Sequence, residues 1–326
     1  MIVGQDRAVE QLASAWGTRK LHHAWLLAGP KGVGKASFAK AAARRILAEA
    51  AGPPFDLPSL ETDDEHRIVK LVSAGSHPDM RWLERLVNEK TGNLARNISV
   101  EQVRELGEFL TLTPALSPWR VAVIDTVDDL ETSGANALLK ILEEPPPNTL
   151  FFLVSHAPGR LLPTIRSRCR RLEFERLSDD AMTSILERHA PDVGNAERER
   201  IVAMSFGSAE RALAFAELGL AKLEDAAIAI LRQGDPTNAR RSELASELGK
   251  KAAGDRYAAF LDLAPSLIAR EARRLRGGSL ERALDAYARA RELAVIAPRL
   301  SLDPAATIFQ LGGILAEVAE PASLKR

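Results

Sequence analysis

The sequence predicts an α/β domain built on a doubly wound parallel sheet and continued by a region that is helical to its end. Three observations carry this expectation. Short apolar runs alternate with amphipathic helical stretches from residue 24 to residue 174. The first of those runs, Ala24 to Ala28, opens onto a glycine-rich turn and then a helix. From Ser178 onward no strand signal recurs.

The turn is Gly29-Pro30-Lys31-Gly32-Val33-Gly34-Lys35-Ala36-Ser37. Gly29, Gly34 and Lys35 stand at the G-x-x-x-x-G-K spacing of a phosphate-binding loop. Its glycines let successive backbone N–H groups curl round an anion, and the following helix aims its positive end at the same point. Lys35 would reach the terminal phosphates as a point charge. At Ala36 the motif needs Ser or Thr to hold Mg²⁺; Ser37 is one residue late and about 100° round the helix. The loop is therefore expected to form a nucleotide-type site that hydrolyses poorly, with ATP binding left open and Mg²⁺ relevant only if a nucleotide is bound.

At 326 residues the chain is long enough for two or three domains. Its 44 basic and 44 acidic side chains cancel, so a nucleic-acid or membrane contact would need a local patch. The opening Met1-Ile2-Val3-Gly4-Gln5-Asp6 lacks the basic-then-apolar pattern of a signal peptide, and no apolar run approaches ~18 residues. Cys169 is the only cysteine, which excludes internal disulfides and cysteine-based zinc sites. The six histidines show no metal spacing, so no metal site is expected, and a reducing cytoplasm is the default compartment.

Taken in order, residues 5–19 read as a helix with Ala8, Val9, Leu12 and Trp16 on one stripe. In the helix after the loop, from Ala36 to Ala48, Phe38, Ala41 and Ile46 face inward and Lys40, Arg44 and Arg45 outward. Residues 51–79, with Pro53, Pro54, Pro58 and the acids Asp63 to Glu65, predict an irregular solvated insertion. His77-Pro78-Asp79 introduces a short strand, Met80 to Leu83, and a loop follows through Asn93. Ser99 and Gln102 have the spacing of a capping box opening a helix faced by Val100, Val103, Leu106 and Leu110.

Trp119 to Asp125 reads as a buried strand ending in a carboxylate. Asp125 either orients Mg²⁺ through water or caps the next segment; Asp128 and Asp129 read as solvated loop acids. A helix from Ser133 to Glu143 is stopped by Pro145-Pro146-Pro147. A second buried strand, Thr149 to Val154, leads to Ser155. A short helix covers Leu161 to Ser167, and a last strand Arg171 to Phe174. Helices are expected near 178–189, 195–205 and 208–219, with the first helical block reaching Gln233. A hinge is expected at Gly234-Asp235-Pro236, then three or four long helices over 237–326. Arg270, Arg273, Arg274 and Arg276 read as the solvated end of one of them. Cys169 reads as a small buried residue. Lys31, Arg44 and Arg45 are candidates for phosphate-backbone contact without base readout.

Three stretches go beyond a generic phosphate-binding loop. They are Asn136-Ala137-Leu138-Leu139-Lys140-Ile141-Leu142-Glu143-Glu144-Pro145-Pro146, then Phe151 to Ser155, then Leu161-Leu162-Pro163-Thr164-Ile165-Arg166-Ser167-Arg168-Cys169. They resemble the AAA+ subunits of replication clamp loaders. The resemblance covers about residues 1–230 and implies an AAA+ domain over 1–176, a helical lid over 177–234 and a helical collar over 235–326. In that family five subunits, here those of gamma/tau and delta type as partners, open a sliding clamp and place it on primed DNA. The motor subunits carry a hydroxyl where this chain has Ala36 and an Asp-Glu pair where it has Asp125-Thr126. They carry Gly-Ser-x-Arg where it has Gly207-Ser208-Ala209-Glu210 and then Arg211. These departures from the motor subunits imply a subunit with weak ATPase or none, and no polymerase active site. Members of the resembled family often carry a four-cysteine zinc module ahead of the segment matching His77-Pro78-Asp79; this chain has proline-rich sequence and no cysteine there, so no zinc is expected. The resemblance makes Arg168 an arginine finger for a neighbour's ATP, and Ser155 a sensor of γ-phosphate. The plainer reading of Arg168 is that it only ties its loop to a surface carboxylate, and Ser155 can equally bond its own backbone.

Overall fold

Every strand expected from the apolar runs is present in the computed structural model, which describes residues 2–57, 59–87 and 94–319. They are β1 (Ala24–Ala28), β2 (Met80–Leu83), β3 (Arg120–Asp125), β4 (Thr149–Ser155) and β5 (Arg170–Glu173). Hydrogen bonding orders them β2-β3-β4-β1-β5, all parallel. Both faces of such a sheet are covered, which is why β1 and β4 are buried at every position and read as unbroken apolar runs.

Side chains still alternate between the faces. Trp25, Leu27, Val121, Val123, Phe152 and Val154 pack on one side with α1 (Asp6–Gly17), α2 (Lys35–Ala51) and α3 (Arg67–Ser73). Leu26, Ala122, Ile124, Phe151 and Leu153 pack on the other with α4 (Val100–Thr111), α5 (Thr132–Glu143) and α6 (Pro163–Ser167). The capping box at the start of α4 is formed as expected, with Ser99 and Gln102 each satisfying the other's backbone N–H.

Two expectations for this half are corrected. The insertion after α2 is not irregular throughout: α3 lies within it and buries Ile68, Val69 and Val72 against α2. Three apolar residues in one turn, flanked by prolines and acids, are too short a pattern to stand out. Arg45, expected outward, is buried; it pairs with Glu49 at 2.6 Å and donates to the carbonyls of Phe55, Leu57 and Glu61. It therefore organises the chain around it and is not available for phosphate-backbone contact. Pro58 and the loop over 88–93 lie outside the described residues.

The chain divides into two units, Met1–Ala181 and Met182–Arg326, with the boundary inside α7 (Asp179–His189). The second unit contains α8 (Asn195–Ser205), α9 (Ala209–Leu218), α10 (Ala221–Gln233), α11 (Ala239–Leu248), α12 (Gly254–Ala272), α13 (Gly277–Leu300) and α14 (Pro304–Ala316). Gly234-Asp235-Pro236, read as a hinge, is a tied turn: Asp235 is buried and accepts from the backbone N–H groups of Arg240 and Arg241. Arg270, read as solvated, is half-buried and shares the buried Glu224 carboxylate with Arg200, at 2.9 and 3.1 Å. Among the described residues, no helix is long and apolar enough to cross a membrane.

Candidate functional site at two edges of the sheet

The phosphate-loop residues collect at the carboxyl-end edge of the sheet, where β1, β3 and β4 finish. Gly32 and Gly34 have φ of 77° and 95°, the left-handed turns that only glycine adopts without strain. Gly34 leads directly into α2. Gly29 is needed for a different reason, since a Cβ there would run into the Phe174 carbonyl beside it. Lys35 is buried, and its Nζ donates to the carbonyls of Gly29, at 2.7 Å, and Pro30. This cradle of left-handed glycines, helix start and lysine fits a phosphate group. It does not fit the usual metal partner, because Ala36 offers no side-chain oxygen.

Asp125 and Ser155 end adjacent strands at the same edge, with Asp125 registered against Val154. Thr126, where an attacking water would need a carboxylate, donates its hydroxyl toward Asp125 at 3.4 Å and lies 3.2 Å from His156 Nε2. Ser155 does not bond its own backbone. It is fully buried and donates to Asp128 Oδ1 at 2.8 Å, while the N–H of His156 donates to the other oxygen at 2.6 Å. Asp128 and Asp129 are accordingly not solvated loop acids. Asp129 pairs with Arg85 at 3.0 Å, and burial, the largest influence, raises its pKa above 3.8. A hydroxyl already committed to a carboxylate is a poor donor to an approaching phosphate.

Gln5 was not singled out from the sequence. It is buried, with Nε2 donating to the carbonyls of Val33 and Glu175 and Oε1 accepting from the Glu175 N–H, so it ties the loop to the exit of β5. An amide before an amphipathic helix carries no periodicity by which to find it. In the second unit, Arg211 is turned onto α12, donating to Ser266 Oγ at 2.6 Å and the Asp262 carbonyl at 3.1 Å.

Arg168 stands elsewhere. It is the residue that closes α6, two positions before β5 begins, and so belongs to the amino-end edge. Its Nη2 pairs with Glu143 Oε1 at 2.8 Å and its Nη1 donates to the Thr164 carbonyl at 3.0 Å. Glu143 is the last residue of α5, just ahead of β4. His22 and His23, stacked with ring centroids 4.4 Å apart, precede β1 on this edge, and burial first and His22 second depress the His23 pKa. Burial pushes the neighbouring Cys169 thiol up to about 12, so it stays protonated and unreactive. Strands rise about 3.3 Å per residue, so β1 alone separates the two edges by roughly 15 Å. Arg168 and Lys35 cannot meet at one phosphate within one chain.

A profile described as "DNA polymerase III, delta subunit" matches residues 4–178, the whole sheet and both edges. The chain belongs to this family. It is a family of DNA polymerase III clamp-loader subunits, and the relatives matched span its delta-prime and gamma/tau members. DNA polymerase III subunit delta′ of Pseudomonas aeruginosa is 37% identical over 61% of this chain and 57% of its own length. Subunit tau of Bacillus subtilis is 31% identical over 69% of this chain and 39% of its own. The chain thus spans between two fifths and three fifths of these relatives. A DNA polymerase III gamma subunit-related protein of Thermotoga maritima superposes with a TM-score of 0.48 at 14% identity, over 95% of this chain and 99% of its own. The parallel sheet, its strand order and the glycine loop between β1 and α2 are those of a doubly wound α/β domain with a phosphate-binding-type loop.

Proposed function

We propose that this chain is the delta-prime-type subunit of a DNA polymerase III clamp loader, with weak ATPase or none, and that it supplies Arg168 to the ATP of a neighbouring subunit. It would sit in a cytoplasmic hetero-pentamer with gamma/tau-type and delta-type subunits and help place a sliding clamp on primed DNA. Residues 1–176 would form the AAA+ domain, 177–234 the lid and 235–326 the collar.

The observation that carries this reading is the separation of Arg168 from the chain's own phosphate loop by the length of the sheet. A guanidinium on the amino-end edge has no route to a nucleotide on the carboxyl-end edge of the same domain, so a phosphate it serves belongs to another molecule. Such a finger neutralises charge developing on the γ-phosphate and contributes about 10³–10⁵-fold in rate. Weak ATPase is supported by three local features. Ala36 lacks the metal-holding oxygen, Thr126 replaces the water-polarising carboxylate, and Arg211 is tied to α12. If ATP binds, the glycine-loop N–H groups and Lys35 would hold its phosphates. Mg²⁺ would normally supply charge neutralisation there, and here would lack a side-chain hydroxyl.

The test uses the assembled loader. Arg168→Ala should lower DNA-stimulated ATP hydrolysis while the complex still forms, and Lys35→Ala should leave that hydrolysis nearly unchanged. If Lys35→Ala instead abolished hydrolysis by the isolated chain, the chain would be a motor. Unchanged hydrolysis with Arg168→Ala would make it a scaffold.

A further inference from the structure

Arg168 is held through both terminal nitrogens, with a third, longer contact from Nη1 to Ser167 Oγ at 3.5 Å. Its Nη2 is bound by the Glu143 carboxylate at 2.8 Å and its Nη1 by the Thr164 carbonyl at 3.0 Å. A guanidinium carries five N–H donors, so these contacts orient its plane and leave donors for a ligand. The two side chains are 34% and 49% exposed, so the group is held yet accessible.

Glu143 is well placed to act as an anchor. It ends α5, a helix pinned to the core by Leu138 and Leu142 and halted by the prolines that follow. A carboxylate on a rigid element holds its partner more accurately than one on a loop. Glu144, the next residue, makes no comparable contact among the described residues.

We infer that Glu143 positions Arg168, holding its guanidinium in one orientation for an anionic polyphosphate presented by the neighbouring subunit; this rests on the reading of Arg168 as a finger acting in trans. An unanchored arginine samples many rotamers and must give up that freedom when it engages. A partner that selects one rotamer beforehand removes the loss from the catalytic step. An ion pair this exposed is individually weak, so it orients the arginine without sequestering it from a more highly charged phosphate.

The experiment measures kcat and KM for DNA-stimulated ATP hydrolysis by the assembled loader, with assembly checked by gel filtration. Glu143→Ala should lower kcat about 10- to 100-fold, the penalty of misplacing a reacting group by roughly 1 Å, and leave KM unchanged. Glu143→Gln, which keeps an acceptor, should recover most of the rate, and Glu144→Ala should match the parent. In an Arg168→Ala background, Glu143→Ala should have no further effect. Exchanging the pair, Glu143→Arg with Arg168→Glu, should assemble but stay slow, because the attraction is restored while the guanidinium moves to α5.

Full activity in Glu143→Ala, with Arg168→Ala impaired, would overturn the assignment of Glu143 and leave the finger standing. Full activity in Arg168→Ala would overturn both. Equal losses from Glu143→Ala in both backgrounds, or full recovery in the exchanged pair, would reduce Glu143 to a structural role.

Discussion

Ala36 shows how one missing oxygen changes what a phosphate loop can do. The glycines at 32 and 34 and the buried Lys35 keep the loop's anion-binding form, and the backbone supplies that chemistry whatever side chain follows. The metal contact, by contrast, needs a hydroxyl at one position only. ATP affinity of the purified chain is therefore expected to be nearly the same with and without Mg²⁺, measured by equilibrium titration. Ala36→Ser should make it metal-dependent; about tenfold corresponds to a contact of ~1.4 kcal/mol. Tight binding by the parent chain only with Mg²⁺ would contradict the role assigned to Ala36. Ser155 and Asp128 extend the same point, because a serine at a strand end is visible in the sequence and its partner 27 residues away is not.

At the scale of elements, the Arg45–Glu49 pair on α2 ties the segment that follows this helix to α1 and α2. Arg45 reaches three carbonyls of the following segment, and Glu49 accepts from the Phe55 N–H and from Trp16 Nε1 of α1 at 2.6 Å. The i,i+4 spacing puts the two side chains on one helical face, and burial makes each dependent on the other. Breaking a buried pair from one side costs about 3–5 kcal/mol. Arg45→Ala is expected to lower the unfolding free energy by about that amount, and limited proteolysis should then cut between residues 53 and 61 first. A stability change under ~1 kcal/mol would mean that the segment is held by something other than this pair.

Across the first unit, a buried histidine and a half-buried one link stability to pH. His77 accepts the Asp79 N–H through Nδ1, and burial, only partly offset by Asp79, depresses its pKa below 6.5. His23 is depressed in the same direction. The unfolded chain takes up these protons first, so the contribution to stability is present above pH 6.5 and lost as pH falls through the folded-state values. Denaturant midpoints should therefore decline from about pH 7 to about pH 5, and His77→Asn should flatten part of that slope. A flat profile would show that neither imidazole is protected in the folded state. Asp129, whose pKa is raised, acts in the opposite direction and at lower pH, near the carboxylate range.

Much of this molecule could be read from local pattern. The five strands, the capped helix at Ser99, the phosphate loop and the helical second half all announce themselves through periodicity or spacing, which depend on neighbours a few residues apart. Arg168 and Lys35 were likewise visible as residues, through the motifs around them. Folding supplied the relations between distant positions. It put Arg168 and Lys35 at opposite ends of the sheet, gave Arg168 to Glu143 and Ser155 to Asp128, and drew Arg45 inward. Contacts between residues tens of positions apart leave no period in a chain, because they depend on how strands are ordered and which faces are covered, and those emerge only once the elements pack.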